Sequence, residues 1–172
     1  MARVSTRENK NIYQLTRENL KLTRETASEL LESIPPERIE KIENERSFPH
    51  PDEVLTMAEK YKKPDLCNYY CANQCPIGQE YVPEVKIKDL SQIVLKMLAS
   101  LNAMNKRKDR LIEITADGKI SDDELEDFLY IQEELERISI TVETLQLWAE
   151  KMLAAGVIDE ARYEAYRSRK KT

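Results

Sequence analysis

The chain has 172 residues, of which 34% are charged and 6% aromatic; it holds three glycines and a net charge of −5. Few glycines and no sustained strand-like alternation predict an all-α protein of one large or two small domains. The acidic balance argues against indiscriminate coating of nucleic acid. No stretch reaches the ~18 apolar residues of a membrane span. MARVSTRENK lacks the apolar segment of a secretory signal. Three cysteines, an odd number, suit a reducing compartment, so a cytoplasmic protein is expected.

Between Asn11 and Pro49 the pattern predicts three short helices with a tight turn between the second and third. Leu15 and Leu20 give the first an apolar face. Thr23 precedes the second, where a hydroxyl accepts from a free helical N–H. Ala27, Leu30 and Leu31 form that helix's inner face. Pro35 and Pro36 suit a helix's first turn, where no bond partner is lost. Ile39 and Ile42 face inward, and Pro49 and Pro51 stop continuation.

These residues resemble the Cro/C1-type (lambda-repressor-like) helix-turn-helix family. The resemblance rests on Arg17 late in the first helix, Thr23 at the second, and the run Ile39-Glu40-Lys41-Ile42-Glu43-Asn44. Phe48-Pro49 and the amphipathic segment Val54–Tyr61 extend it, so that it covers roughly the first 70 residues. It implies a four- to five-helix DNA-binding domain whose third helix enters the major groove. It also implies an Arg17–Glu43 ion pair tying helix one to helix three. Two features depart from the family: the turn Leu31-Glu32-Ser33-Ile34 lacks a glycine, and Glu45 stands where a helix-ending glycine is common. From Glu32 to Glu45 there are five Glu against one Arg and one Lys, a charge unfavourable to phosphate. The segments Met1–Arg24 and Arg162–Thr172 are basic instead, each with a balance of +4. They are either phosphate-binding arms or solvated ends.

Cys67, Cys71 and Cys75 recur every four residues on one predicted helix face, with Asp65 as its cap and Pro76-Ile77-Gly78 as its end. The spacing fits core packing better than a metal site, which usually needs four ligands. After the connector Tyr81–Val85, two heptad patterns predict long helices. Leu90, Val94, Met97, Leu101, Met104, Lys108 and Leu111 mark one; Phe128, Ile131, Leu135, Ile138, Val142, Leu145, Ala149 and Met152 mark the other. Ala155-Gly156 stops the second. The turn between them, Glu113–Glu124, is similar to a calcium loop, but Glu113 and Thr115 misplace early ligands, and Ser121 with Glu124 reads as a capping box.

The expected organisation is a helix-turn-helix DNA-binding domain over residues 1–80 and an α-helical hairpin or bundle over 86–172 that pairs two chains. The expected function is that of a sequence-specific, bacterial-type transcriptional regulator binding double-stranded DNA as a homodimer. The alternative is a helix-turn-helix scaffold used for protein contacts. Expected DNA contacts are Arg24, Arg46 and Ser47 to phosphate, and Glu37, Arg38 and Lys41 to bases. Arg38 and Lys41 are expected on one exposed side of the third helix. One histidine, no Gly-rich phosphate loop and no nucleophile–base pattern point away from an enzyme, and no cofactor or metal is implied.

Overall fold

The computed structural model describes residues 9–86, 89–116 and 118–169. Arg3, Arg7, Asp117, Lys170 and Lys171 lie outside them, with the parts of the basic arms and of the calcium-like loop that they carry. The fold is all-α. Among the described residues there are nine helices and no strand. None of these helices is long and apolar enough to cross a membrane. The chain divides into two compact units, Met1–Glu84 with Glu150–Thr172, and Val85–Ala149. The first boundary falls in the expected connector, while Glu150–Thr172 group with the N-terminal unit and not with the hairpin.

The first unit begins with α1 (Ile12–Asn19), α2 (Arg24–Leu31), α3 (Pro36–Glu43) and α4 (Pro51–Lys60). Then follow α5 (Asp65–Asn73) and α6 (Pro76–Tyr81). Local chemistry starts five of these six helices. The Asn11 side chain accepts from the Gln14 N–H at 3.0 Å, and Thr23 Oγ1 from the Thr26 N–H at 3.2 Å. Prolines open α3, α4 and α6. The core gathers Tyr13, Ala27, Leu31, Ile34, Ile39, Ile42, Val54, Met57, Tyr61 and Leu66.

The structure differs from expectation at the face of α1 and at both ends of α5. Leu15 and Leu20 are each 45% exposed, and α1 buries Tyr13, Gln14, Thr16 and Arg17 instead. A helix this short buries one narrow stripe, and the Arg17 ion pair and the Tyr13 ring claim it. Tyr13 stands edge-on to Tyr69 and donates to Gln74 Oε1 at 2.9 Å, which ties α1 to the end of α5. Asp65 does not cap α5 but lies in its first turn, paired with Lys63 at 2.9 Å. Pro76 does not merely end α5; it opens α6.

Four helix ends turn through left-handed residues that are not glycine: Lys21, Glu32, Glu45 and Lys62, with φ from 55° to 59°. After α3, the Arg46 N–H reaches back to the Lys41 carbonyl and the Glu45 N–H to that of Ile42, a closure that glycine usually makes. Gly78 is needed for a different reason, since a Cβ there would lie 2.1 Å from the Cys71 carbonyl oxygen. Close approach of α6 to the α5 backbone therefore requires hydrogen at that position.

The second unit is built on α7 (Leu90–Thr115) and most of α8 (Leu125–Ala154). Asp89 caps α7 by accepting from the Gln92 N–H at 3.0 Å. Ahead of α8, the Glu124 carboxylate accepts from the Ser121 N–H at 3.0 Å. Asp127 receives Arg107 and Arg110, each at 2.8 Å, and Arg107 lies 4.0 Å from the Tyr130 ring centre. These contacts make α7 and α8 an antiparallel hairpin near the turn. Glu113, the first position of the calcium-like loop, is still helical and pairs with Arg110.

The covered lines of the hairpin differ from the predicted seams. Met97, Met104 and Leu111 are at least half-covered, but Val94 and Leu101 are exposed, and Ile93, Ser100 and Ile114 are buried in their place. On α8, Ile131 is buried and Ile138 and Leu145 are partly covered, while Glu134 and Thr141 replace Leu135 and Val142. Thr141 donates to the Arg137 carbonyl at 2.7 Å, and Glu134 accepts from Arg137, so both polar side chains are satisfied on their own helix. Gly156, with φ +69°, ends α8, and α9 (Glu160–Arg169) buries no residue.

Backbone geometry gives opposite expectations for two substitutions. Glu45→Gly relieves a left-handed residue and is expected to raise stability by about 0.5–1 kcal/mol. Gly78→Ala drives a methyl into the α5 backbone and is expected to lower it by roughly 1–3 kcal/mol. Urea denaturation of both variants checks the signs.

Candidate nucleic-acid interface

The region built by α2, the turn and α3 is held from inside by charge. Glu43 at the end of α3 is 1% exposed, and its carboxylate accepts from Arg17 Nε, from Arg17 Nη2 at 3.0 Å and from Arg24 Nε at 2.9 Å. Arg17 also donates to the Leu22 carbonyl at 2.6 Å, which fixes the α1–α2 connection. Asn11 Nδ2 donates to the Ile42 carbonyl at 2.8 Å. Helices α1, α2 and α3 thus converge on the last turn of α3. Burial opposes the charge on Arg17, but the hydrogen bonds and charge of Glu43, with the charge of Glu18, together outweigh it and raise the guanidinium's pKa.

The turn itself is tight. Glu32 has φ +59° and ψ −43°, and the Ser33 N–H bonds the Leu31 carbonyl at 2.6 Å across it. This is a γ-turn at positive φ, a strained form for a residue with a side chain. The Glu32 carboxylate points outward to Lys60 Nζ at 3.0 Å.

The six expected contact residues divide into two groups. Glu37, Lys41 and Arg46 are exposed, and no salt bridge among the described residues involves them. Arg24, Arg38 and Ser47 are occupied within the fold. Arg24 is bonded to Glu43 as above. Arg38 Nε and Nη2 grip the two Glu53 oxygens at 2.7 and 2.6 Å. Its Nη1 donates to Ser47 Oγ at 2.6 Å, and Nη2 also to the Phe48 carbonyl at 2.9 Å. Arg38 therefore turns toward the start of α4 and does not share an exposed side with Lys41. The reason is local: Glu53, in the first turn of α4, already accepts from the His50 N–H at 2.6 Å and presents a fixed carboxylate that a planar guanidinium matches.

Sequence reasoning misses the role of Glu53, and it reads Phe48 and Leu55 only as parts of family-like segments, whereas Phe48 is 68% and Leu55 62% exposed. Glu53 three residues after His50, with Pro51 between, is a readable helix-start signal. Its partner Arg38 is not, because 15 residues separate them. The outer side of α3 carries Glu37, Glu40 and Lys41, followed by Glu45 and Arg46.

Cys67 and Cys71 lie on α5, and Cys75 stands just before α6. All three are free thiols of intermediate exposure, and Cys67 packs against the core. Burial, then the neighbouring Cys71, raises the Cys67 thiol's pKa; burial, then Cys75, raises that of Cys71. Both are held as thiols, the form that neither attacks nor ligates well. Among the described residues, no group of three or more His, Cys, Asp or Glu is placed to hold a metal. Comparison with family models, curated proteins and solved structures gives no match.

The Arg38–Glu53 grip has a pH signature. Burial raises the Glu53 carboxyl, but the Arg38 bonds and the His50 N–H outweigh it and hold its pKa below the usual range. A lowered folded-state value means stability that is complete above the unfolded pKa of about 4.3 and lost as pH falls through the lower, folded one. Glu53→Gln is expected to flatten the acid side of a stability-against-pH curve below about pH 4, while wild type falls away there. Unchanged acid limbs in the two proteins would contradict this assignment. In the second arm of the corner, Arg38→Ala leaves the largely buried carboxylate with two donors fewer and is expected to cost roughly 2–4 kcal/mol in a urea titration at pH 7.

Proposed function

We propose that the chain is a cytoplasmic, sequence-specific DNA-binding transcriptional regulator of the Cro/C1 helix-turn-helix type, acting as a homodimer paired through its C-terminal helices. The observation that carries this reading is the division of α3. Its inner side is fixed by Ile39, Ile42 and the Glu43 ion triad, while Glu37 and Lys41 on the outer side serve no internal purpose. A rigid helix with an uncommitted outer side suits insertion into a major groove. In this reading Lys41 donates to guanine acceptors and Glu37 accepts from a cytosine amine. Arg46 holds phosphate, and Arg24 does so with the donors that Glu43 leaves unused. Arg38 and Ser47 act by setting the α3–α4 corner.

A second reading is favoured by one specific observation. Three glutamates, Glu37, Glu40 and Glu45, outnumber Lys41 and Arg46 in this stretch, with Phe48 and Leu55 exposed nearby in sequence. Such a surface suits a basic protein partner, with the helix-turn-helix as scaffold.

The two readings separate on DNA. If α3 reads bases, the purified protein shifts duplex DNA in a salt-dependent manner, and a preferred site can be selected from a random pool. On that site Lys41→Ala is expected to cost about 1–3 kcal/mol and relax preference at one or two positions. Arg46→Ala is expected to weaken all sequences alike and lower the salt slope by about one. Glu37→Gln is expected to raise non-specific affinity by removing a charge near phosphate. Equal binding of the selected site by wild type and Lys41→Ala would take α3 out of the groove and leave the scaffold reading.

A further inference from the structure

We propose that two copies of the chain meet through one particular side of the α7–α8 hairpin, the side carrying Val94, Leu98 and Leu101 of α7 and Leu135 and Val142 of α8. The inference rests on the proposed pairing through the C-terminal helices and names the surface that makes it. All five residues are exposed, Leu98 and Leu135 each at 51%. Val94 and Leu101 follow the buried Ile93 and Ser100 by one position; Leu135 and Val142 follow the buried Glu134 and Thr141 by one. In an antiparallel pair, the same step from each covered line leads to the same side of the hairpin.

Charge identifies the occupant. The polar residues sharing this side are Asn105, Gln132, Ser139 and Gln146, all exposed and all uncharged; Lys108 is its single charge among the described residues. The opposite side carries Lys96, Lys106 and Arg110 on α7, with Glu133 and Arg137 on α8. In a chain that is 34% charged, a side so depleted of charge has the composition of an interface centre. A two-fold interface sets each residue line against a copy of itself or its neighbour, so any net charge on it repels. On a chain of net charge −5, a side with a single charge, at one end, is close to what self-pairing requires, whereas a charged partner would find little here to read. The five apolar side chains offer roughly 400 Å² per chain, and with the exposed polar residues between them two copies bury roughly 1,200 Å², the lower edge of a specific interface. The product is a four-helix bundle that covers leucines one hairpin leaves in water.

The test uses the full chain, with reducing agent present, by sedimentation at 1–50 µM (about the range in which an interface of this size assembles). Wild type is expected at twice the 20.1 kDa chain mass. Leu101→Glu with Val142→Glu is expected at the single-chain mass, a weakening of at least about 100-fold, since each carboxylate meets its own copy. Both positions are exposed in the single chain, so helix content by circular dichroism is expected to be unchanged. Glu133→Lys, on the opposite side, is expected to remain dimeric. Monomeric wild type would overturn the pairing itself. A double variant that stays folded and dimeric would overturn this side as its surface while leaving the pairing intact. A folded, monomeric double variant with a dimeric Glu133→Lys chain supports it.

Discussion

One carboxylate, that of Glu43, is removed from water at the end of α3 and must be answered there. An isolated buried carboxylate is strongly disfavoured, and a pair is tolerated only when geometry and hydrogen bonds are complete. Arg17 from α1 and Arg24 from α2 supply three N–H donors, so the last turn of α3 can be buried only when all three helices are in place. The pair therefore specifies an arrangement more than it adds stability. It aims α3, and with α3 the outer residues on which the proposed function depends.

The second fixed corner lies on the other side of α3. Arg38 grips Glu53, Ser47 and the Phe48 carbonyl and so holds the α3–α4 connection. An arginine in a proposed reading helix is thus used for architecture. What remains outward on α3 is mixed in sign, which leaves base reading to few groups and makes phosphate contacts from elsewhere correspondingly important. The left-handed Glu32 and Glu45 belong to the same economy of space. Each ends a helix within one residue, and the strain is held by the packed helices on either side.

The hairpin follows a different rule. Its heptads carry apolar residues on adjacent lines, so one line can be covered within a chain while the next stays available to another. Glu134, Thr141 and Thr144 occupy covered positions because hydroxyls and a carboxylate can be satisfied on the same helix, by a carbonyl four residues back or an arginine three residues on. Leu101, Leu135 and Val142 have no such alternative to water except a partner surface.

The sequence by itself determined the all-α class, the approximate starts of α1 to α5 and the two long helices, because caps, prolines and heptads act over a few residues. Thr23, Pro36, Asp89 and Gly156 each do in the structure what their chemistry dictates locally. Ile39 and Ile42 were legible as the inner side of α3 for the same reason. Tertiary structure alone decided which stripe of α1 is buried, since Tyr13 and Arg17 find partners in α5 and α3 that Leu15 does not. It also decided that Arg38 faces Glu53 and which of two neighbouring heptad lines is covered. Each of these is a choice between surfaces of similar local merit, and only residues distant in the chain, brought close by folding, can make it.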